Sequence, residues 1–276
     1  LQRRGVKTTL PLWSASALIT NPEIVKAIHL DYIHAGAEII TTNTFRTTSR
    51  IFAKIGQAEK TETFTHRACQ LAQEAISESG ASHPVYIAGS MAPLEDCYTP
   101  AKTPPESELR AEHTQYAQQL KDGGVDFILV ETMPTIREAV AALGAAYQTK
   151  LPCAVSFCCG AQGDLLSGET LKDAVSAIIT FDPLFIGVNC MSTDDITGAI
   201  GKLRMCTDRP LAAYGHGDGH PDDDQGWKFT GTVSAHAYGE ICRQWVDSGV
   251  QIIGGCCGTD PSYISLLKTI IPKKIS

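Results

Sequence analysis

Short apolar, β-branched runs alternate along the chain with longer segments whose apolar positions recur at helical spacing. The runs are 37–44 (AEIITTNT), 85–91 (VYIAGSM), 127–132 (FILVET), 153–159 (CAVSFCC), 185–190 (FIGVNC), 211–216 (LAAYGH) and 251–257 (QIIGGCC), which read as seven strands. Helical spacing or composition covers 57–80, 106–123, 134–149, 169–181, 194–206, 232–248 and 260–270, and an eighth such segment, 21–35, precedes the first run. Caps and breakers mark several of the predicted starts: Asn21-Pro22, Pro134 after Met133, Thr193-Asp194-Asp195 and Asp260-Pro261.

Alternating strands and helices imply a parallel sheet, and near-continuous apolar strands imply burial on both faces. Eight such units close into a (β/α)₈ TIM barrel. A doubly wound sheet is the alternative, but the GxGxxG turn of a Rossmann fold does not follow the first strand. Eight helices for seven strands place the barrel's first strand upstream of Leu1, and a start on Leu rather than Met fits residues missing there.

Composition narrows the setting. At 276 residues and 43% hydrophobic, with no Ser/Gly-rich or charge-block linker, residues 1–276 suit one barrel domain. The net charge of −7 comes from interspersed acids and bases, so no basic stripe offers nucleic acid a surface. Every apolar run is too short to span a bilayer, and the opening LQRRGVKTTLPLW lacks the apolar core of a signal peptide. The 10 cysteines are therefore expected free or metal-bound, in a reducing, cytoplasmic compartment.

In such a barrel the C-terminal strand ends and the loops after them form the active face. That rule brings Thr42, Asn43 and Thr44, then Ser90, Glu131, Cys158 and Cys159, Cys190, His216, and finally Cys256 and Cys257 to one rim. A disulfide between adjacent cysteines is strained, so the CC of IIGGCCGT (252–259) calls for another explanation. Cys190, Cys256 and Cys257 offer three thiolates with one position left open, a donor set suited to catalytic zinc. Gly254, Gly255 and Gly258 give the backbone freedom for vicinal ligation. Two other readings stay open: the cysteines are small core residues, or Cys158 and Cys159 of FCCG compete for the metal. His216, His220, Asp222, Asp223 and Asp224 read either as a second metal site with nitrogen and oxygen donors or as a solvated polar loop. His29, His34 and His113 fall in helical stretches, as surface or packing residues.

The segments GVNC (187–190) and GGCCGT (254–259), with residues 10–45 (LPLWSASALIT through TTNTF), resemble the homocysteine S-methyltransferase family, and the similarity runs over nearly the whole chain. The resemblance implies a (β/α)₈ barrel that holds Zn²⁺ through Cys190, Cys256 and Cys257 and methylates the thiol of homocysteine, or a close selenol analogue, giving methionine. It also implies that Glu131 binds the amino group of homocysteine and that Asn43 and Thr44 face the same substrate. A helix cap for Glu131 and a plain strand-end turn for Asn43 and Thr44 are the alternatives. AGSMAPLEDCYTP (88–100) is similar to the family's third loop and would shape the donor pocket. GDLLSGETL (163–171) is similar to the fifth, with Ser167 as a helix cap. The family's DGGxGT-like turn has no counterpart from Leu1 onward. S-methylmethionine and S-adenosylmethionine are the expected donors, ahead of betaine or a corrinoid, so the partners are small molecules. Readings from other classes are a non-catalytic zinc-binding barrel, a truncated inactive relative, and a thiol redox or sensor protein using Cys158-Cys159 or Cys256-Cys257.

Overall fold

In a computed structural model describing residues 1–222 and 226–271, seven parallel strands lie side by side in chain order. They are β1 (Ile39–Thr41), β2 (Tyr86–Met91), β3 (Phe127–Met133), β4 (Cys153–Phe157), β5 (Ile186–Asn189), β6 (Leu211–Gly215) and, after a separate hairpin, β9 (Val250–Gly255). Register runs from Ile39 opposite Tyr86 at one edge to Tyr214 opposite Gly254 at the other. The hairpin pairs β7 (His220–Asp222) antiparallel with β8 (Gly226–Lys228). It replaces the solvated loop read from the sequence there, while Asp223 and Asp224 lie outside the described residues.

The helices are α1 (Ser16–Thr20), α2 (Pro22–Ala35), α3 (Ser49–Ala53), α4 (Thr61–Ser79), α5 (Glu106–Asp122), α6 (Ile136–Gln148), α7 (Leu171–Ile178), α8 (Thr193–Arg204), α9 (Ala235–Asp247) and α10 (Pro261–Ile270). α2 packs on both α4 and α10, which carries the helical layer from the β9 end of the curled sheet round to the β1 end. Among the described residues no strand joins β9 to β1, the place that a closed barrel's first strand takes. α1 and α3 were not legible as helices, each being only five residues long.

Side-chain caps start most of the helices that follow a strand. Thr135, Thr170, Ser192 and Ser234 accept from backbone N–H groups three residues on, and Asp260 from the one two residues on. Three expected starts need correction. Asn21 stands at the cap of α2 with Pro22 behind it, but its side chain makes no cap bond and reaches Glu23 Oε1 at 3.5 Å instead. The α8 cap is Ser192, just before the Thr193 cluster. Ser167 caps nothing; its hydroxyl donates to Glu169 at 2.6 Å, and Thr170 caps α7.

Alternation along each strand separates two environments. Ile87, Ile128, Val130, Val155, Ile186, Val188 and Ala213 pack in the main core with the helices. Ala88, Phe127, Leu129, Ala154, Phe185 and Ala212 form a smaller cluster with Ile39 and Ile252 inside the curl of the sheet. Two residues further along the strands, the same inner face carries Ser90, Glu131, Ser156, Asn189 and Tyr214. Its floor is therefore apolar and its upper layer polar.

Candidate metal and substrate site

The inner polar layer is one hydrogen-bonded chain. Ser90 Oγ donates to Glu131 Oε1 at 2.5 Å, and Tyr214 Oη lies 3.1 Å from Glu131 Oε2 and 2.6 Å from Ser156 Oγ. Ser156 donates to Asn189 Oδ1 at 2.7 Å, which also accepts from the Thr132 amide at 3.0 Å, and Asn189 Nδ2 donates to Thr132 Oγ1 at 2.8 Å. Asn189 so ties the turn after Glu131 to the end of β5, where Cys190 follows. Thr132 and Cys190 both hold left-handed backbone, φ 64° and 60°, which costs a residue with a Cβ about 1–2 kcal/mol. Buried hydrogen bonds hold both turns in place: the Cys190 amide donates to Tyr214 O at 3.1 Å.

Cys190, Cys256 and Cys257 converge at the same rim, their sulfurs all within 4.8 Å of one another. Two loops bring them there, the positive-φ turn after β5 and the turn after β9. In the latter, Gly258 has φ 78°, and a Cβ on it would fall 2.2 Å from Asp218 O. A Cβ on Gly255 would fall 2.5 Å from Thr259 Oγ1, whereas Gly254 meets only ordinary contact at 3.5 Å. The freedom expected of three glycines is thus required of two. The Cys256 and Cys257 thiols hydrogen-bond the Cys190 sulfur and, against the opposing effect of burial, hold its pKa well below the usual thiol range. Their own protons are retained, and burial adds to that.

A tetrahedral zinc with bonds of about 2.3 Å sets its sulfurs about 3.8 Å apart. Three soft donors this close, of which Cys190 is already disposed to carry negative charge, fit such an ion. Among the described residues this is the one cluster with metal-ligand spacing. Cys158 and Cys159 do not join it. The Cys158 thiol lies 3.7 Å from Cys190 O, the Cys159 amide donates to Met191 Sδ, and burial pushes both thiols up, Cys159 to about 12. All ten cysteines are unpaired.

Among the described residues the second donor set read from sequence is not assembled. His216 packs edge-on against Trp227, ring centroids 4.9 Å apart, and its Nε2 lies 3.2 Å from Tyr98 Oη. His220 is exposed on the hairpin with Nδ1 beside Pro221 O. Tyr98 was not anticipated: its hydroxyl also lies 3.2 Å from Cys190 Sγ, so the loop after β2 reaches over the thiols. Glu138 anchors that loop by accepting from the Leu94 amide at 2.8 Å and facing the buried His113 at 3.3 Å.

A cavity of about 870 Å³ opens onto the thiols, at the large end of the roughly 300–1,000 Å³ usual for small-molecule sites. Cys190, Cys256, Cys257, Glu131 and Asn43 all line it. Glu131 is 8% exposed; burial, with the field of Cys190, outweighs the hydrogen bonds from Ser90 and Tyr214 and raises its pKa to about 7. It caps no helix, Thr135 having that role. Asn43 lines the cavity, and its Nδ2 donates to Ser14 O at 2.9 Å. Thr44 is not on that wall: fully buried, it donates to Ser90 O at 2.6 Å and so braces β1 against β2. His29, expected as a packing residue, is buried in the wall, where desolvation lowers its pKa to about 4.

Ser156, Asn189 and Tyr214 were missed from sequence although a signal was present. Each is a polar residue two positions after a small inner-face residue, Ala154, Gly187 and Ala212, in a strand otherwise apolar.

Comparison with known proteins gives the family. The profile of the family described as homocysteine S-methyltransferase matches residues 1–271. The homocysteine S-methyltransferase of Escherichia coli (strain K12) is 30% identical over 97% of this chain and 91% of its own length. A selenocysteine Se-methyltransferase of Brassica oleracea var. italica is 28% identical over 96% of this chain and 84% of its own. Among solved structures, the metallated form of the Escherichia coli homocysteine methyltransferase MmuM superposes with a TM-score of 0.83 at 25% identity, covering 97% of this chain and 91% of that one. No helix among the described residues is long and apolar enough to cross a membrane.

Proposed function

The chain belongs to the homocysteine S-methyltransferase family, and from that premise we propose that it is a zinc-dependent enzyme that methylates the thiol of homocysteine from a sulfonium donor, S-methylmethionine or S-adenosylmethionine. The observation that carries this reading is the convergence of three thiols with the buried carboxylate of Glu131 on one cavity. Cys190, Cys256 and Cys257 would hold the zinc, which supplies a Lewis acid that lowers the pKa of the substrate thiol from about 8.5 and so provides a thiolate at neutral pH.

The chain's own residues do the rest. Glu131 takes the ammonium group of homocysteine, with Ser90 and Tyr214 fixing the orientation of its carboxylate. Asn43 stands on the same wall. Thr44, hydrogen-bonded to Ser90 O, supports that wall from behind. Orientation matters because displacement at a methyl carbon needs sulfur, carbon and leaving group in line. The donor sulfur departs neutral, so no acid is needed to protonate it, which suits a site whose one buried carboxylate serves binding.

The test is methionine formation by zinc-loaded protein from homocysteine with each donor in turn. Methionine from either sulfonium supports the reading. Fully metallated protein that yields none from either would contradict it.

A further inference from the structure

The cavity has a second polar region that methyl acceptance does not use. Arg46, in the loop between β1 and α3, lines the cavity together with Asp96, which the loop after β2 supplies. The buried Nε of Arg46 has no hydrogen-bond partner, and no ion pair engages its guanidinium among the described residues; its one contact of note is the ring of Phe45, 5.9 Å from centroid to guanidinium carbon. The other charged groups around this end differ. Lys54 pairs with Glu95 at 3.1 Å, and Arg50 with Glu95, Glu108 and Glu112. A guanidinium whose buried Nε has no partner among the described residues is costly unless something charged arrives to meet it.

Asp96 supplies the opposite charge. Burial would raise its pKa, but the Thr99 hydroxyl at 2.7 Å, the Tyr98 amide at 3.1 Å and the nearby cations Arg46 and Lys102 hold it below the usual carboxylate range. Those two bonds use one acceptor position on each oxygen, and a carboxylate offers about four. The Cys97 thiol feels both Arg46 and Cys190, so this charged pair lies near the metal-site thiols without belonging to them. Trp13, Phe45 and Tyr98 line the cavity as well, aromatic faces of the kind that accept a sulfonium cation.

We propose that Arg46 and Asp96 form a donor-head subsite, the guanidinium taking the α-carboxylate of the methyl donor and Asp96 its α-ammonium group, so that the enzyme selects sulfonium donors carrying an amino-acid head. The proposal rests on the methyl-transfer reading above. It assigns to two residues the discrimination between S-methylmethionine and a sulfonium without that head.

The experiment compares zinc-loaded wild type, Arg46→Ala, Arg46→Lys and Asp96→Asn with three donors: S-methylmethionine, 3-(dimethylsulfonio)propionate, which has the carboxylate alone, and trimethylsulfonium, which has neither group. Charge-assisted hydrogen bonds of this kind correspond to about ten- to hundredfold in binding, so Arg46→Ala should lower the kcat/KM preference for S-methylmethionine over trimethylsulfonium by that factor. Arg46→Lys should recover part of it. Asp96→Asn, which keeps an acceptor for the Tyr98 amide, should lower the preference for S-methylmethionine over the carboxylate-only donor. Equal losses across all three donors, or a raised KM for homocysteine alone, would overturn the assignment. Calorimetric binding of S-methylmethionine separates the two claims. Wild type that binds it at least tenfold tighter than Arg46→Ala, yet transfers no methyl, would sink methyl transfer and keep the subsite; equal affinities would sink the subsite whatever the activity.

Discussion

Asn189→Ala removes the residue that joins the two halves of the site. The side chain is fully buried and makes three hydrogen bonds, two with Thr132 and one with Ser156. Ser156 keeps its bond to Tyr214 at 2.6 Å. Thr132 loses the acceptor for its amide and the donor to its hydroxyl, and a buried polar group left unmatched costs about 1–3 kcal/mol. Relaxation of the left-handed turn at Thr132 returns part of that, so the net loss is about 2 kcal/mol. For a domain of this size that is roughly 4–8 °C in Tm. Because Cys190 is the next residue, zinc affinity should fall by about ten- to hundredfold, the usual cost of losing support behind a ligand. The assays are thermal unfolding of the metallated protein and competition with a chelator. Asn189→Asp keeps the acceptor for the Thr132 amide but buries a carboxyl group, so it should recover part of the Tm at acid pH, where that group is protonated, and less as pH rises. A variant Asn189→Ala with Tm within about one degree of wild type and unchanged zinc affinity would refute the view that this network sets the site.

Three other outcomes are expected. Glu131 must be ionised to take an ammonium group, so homocysteine affinity should rise with pH through about 7, and Glu131→Gln should weaken binding and abolish that limb; a limb that survives the substitution belongs to another group. The same raised pKa means that the folded apoprotein holds this proton more tightly than the unfolded chain, whose value is 4.5. The stability it confers is complete below 4.5 and lost as pH rises through about 7, so the gap in Tm between Glu131→Gln and wild type should widen across that window. Cys159→Ser should keep full zinc, because its sulfur lies outside the three-thiol cluster, and zinc loss would restore the FCCG pair as a competitor.

The barrel was legible because strand and helix periods are strong and each repeats. The curled parallel sheet in chain order follows directly from that alternation. The three cysteines were legible because a glycine-flanked CC is hard to explain as packing, and the strand-end rule alone sent Cys190 to the same rim. What periodicity missed depends on long-range contact. Tyr98 sits in a loop with no regular spacing, and only the fold sets its hydroxyl 3.2 Å from Cys190 Sγ. Thr44 and Asn43 are adjacent in TTNTF and looked equivalent, but alternation turns one into a brace and leaves the other on the cavity wall. The hairpin of β7 and β8 was hidden by its composition, since Gly, Pro and Asp are common turn residues and its three-residue strands are too short to show a period.

The central claim is that Cys190, Cys256 and Cys257 hold a zinc ion, and the direct measurement is zinc per chain, read beside a count of reactive thiols with and without chelator, for wild type and Cys257→Ser. The account predicts close to one zinc in wild type, three further thiols exposed on chelation, and zinc lost from the variant. No zinc in wild type after reconstitution under reducing conditions, or full occupancy in Cys257→Ser, would contradict it.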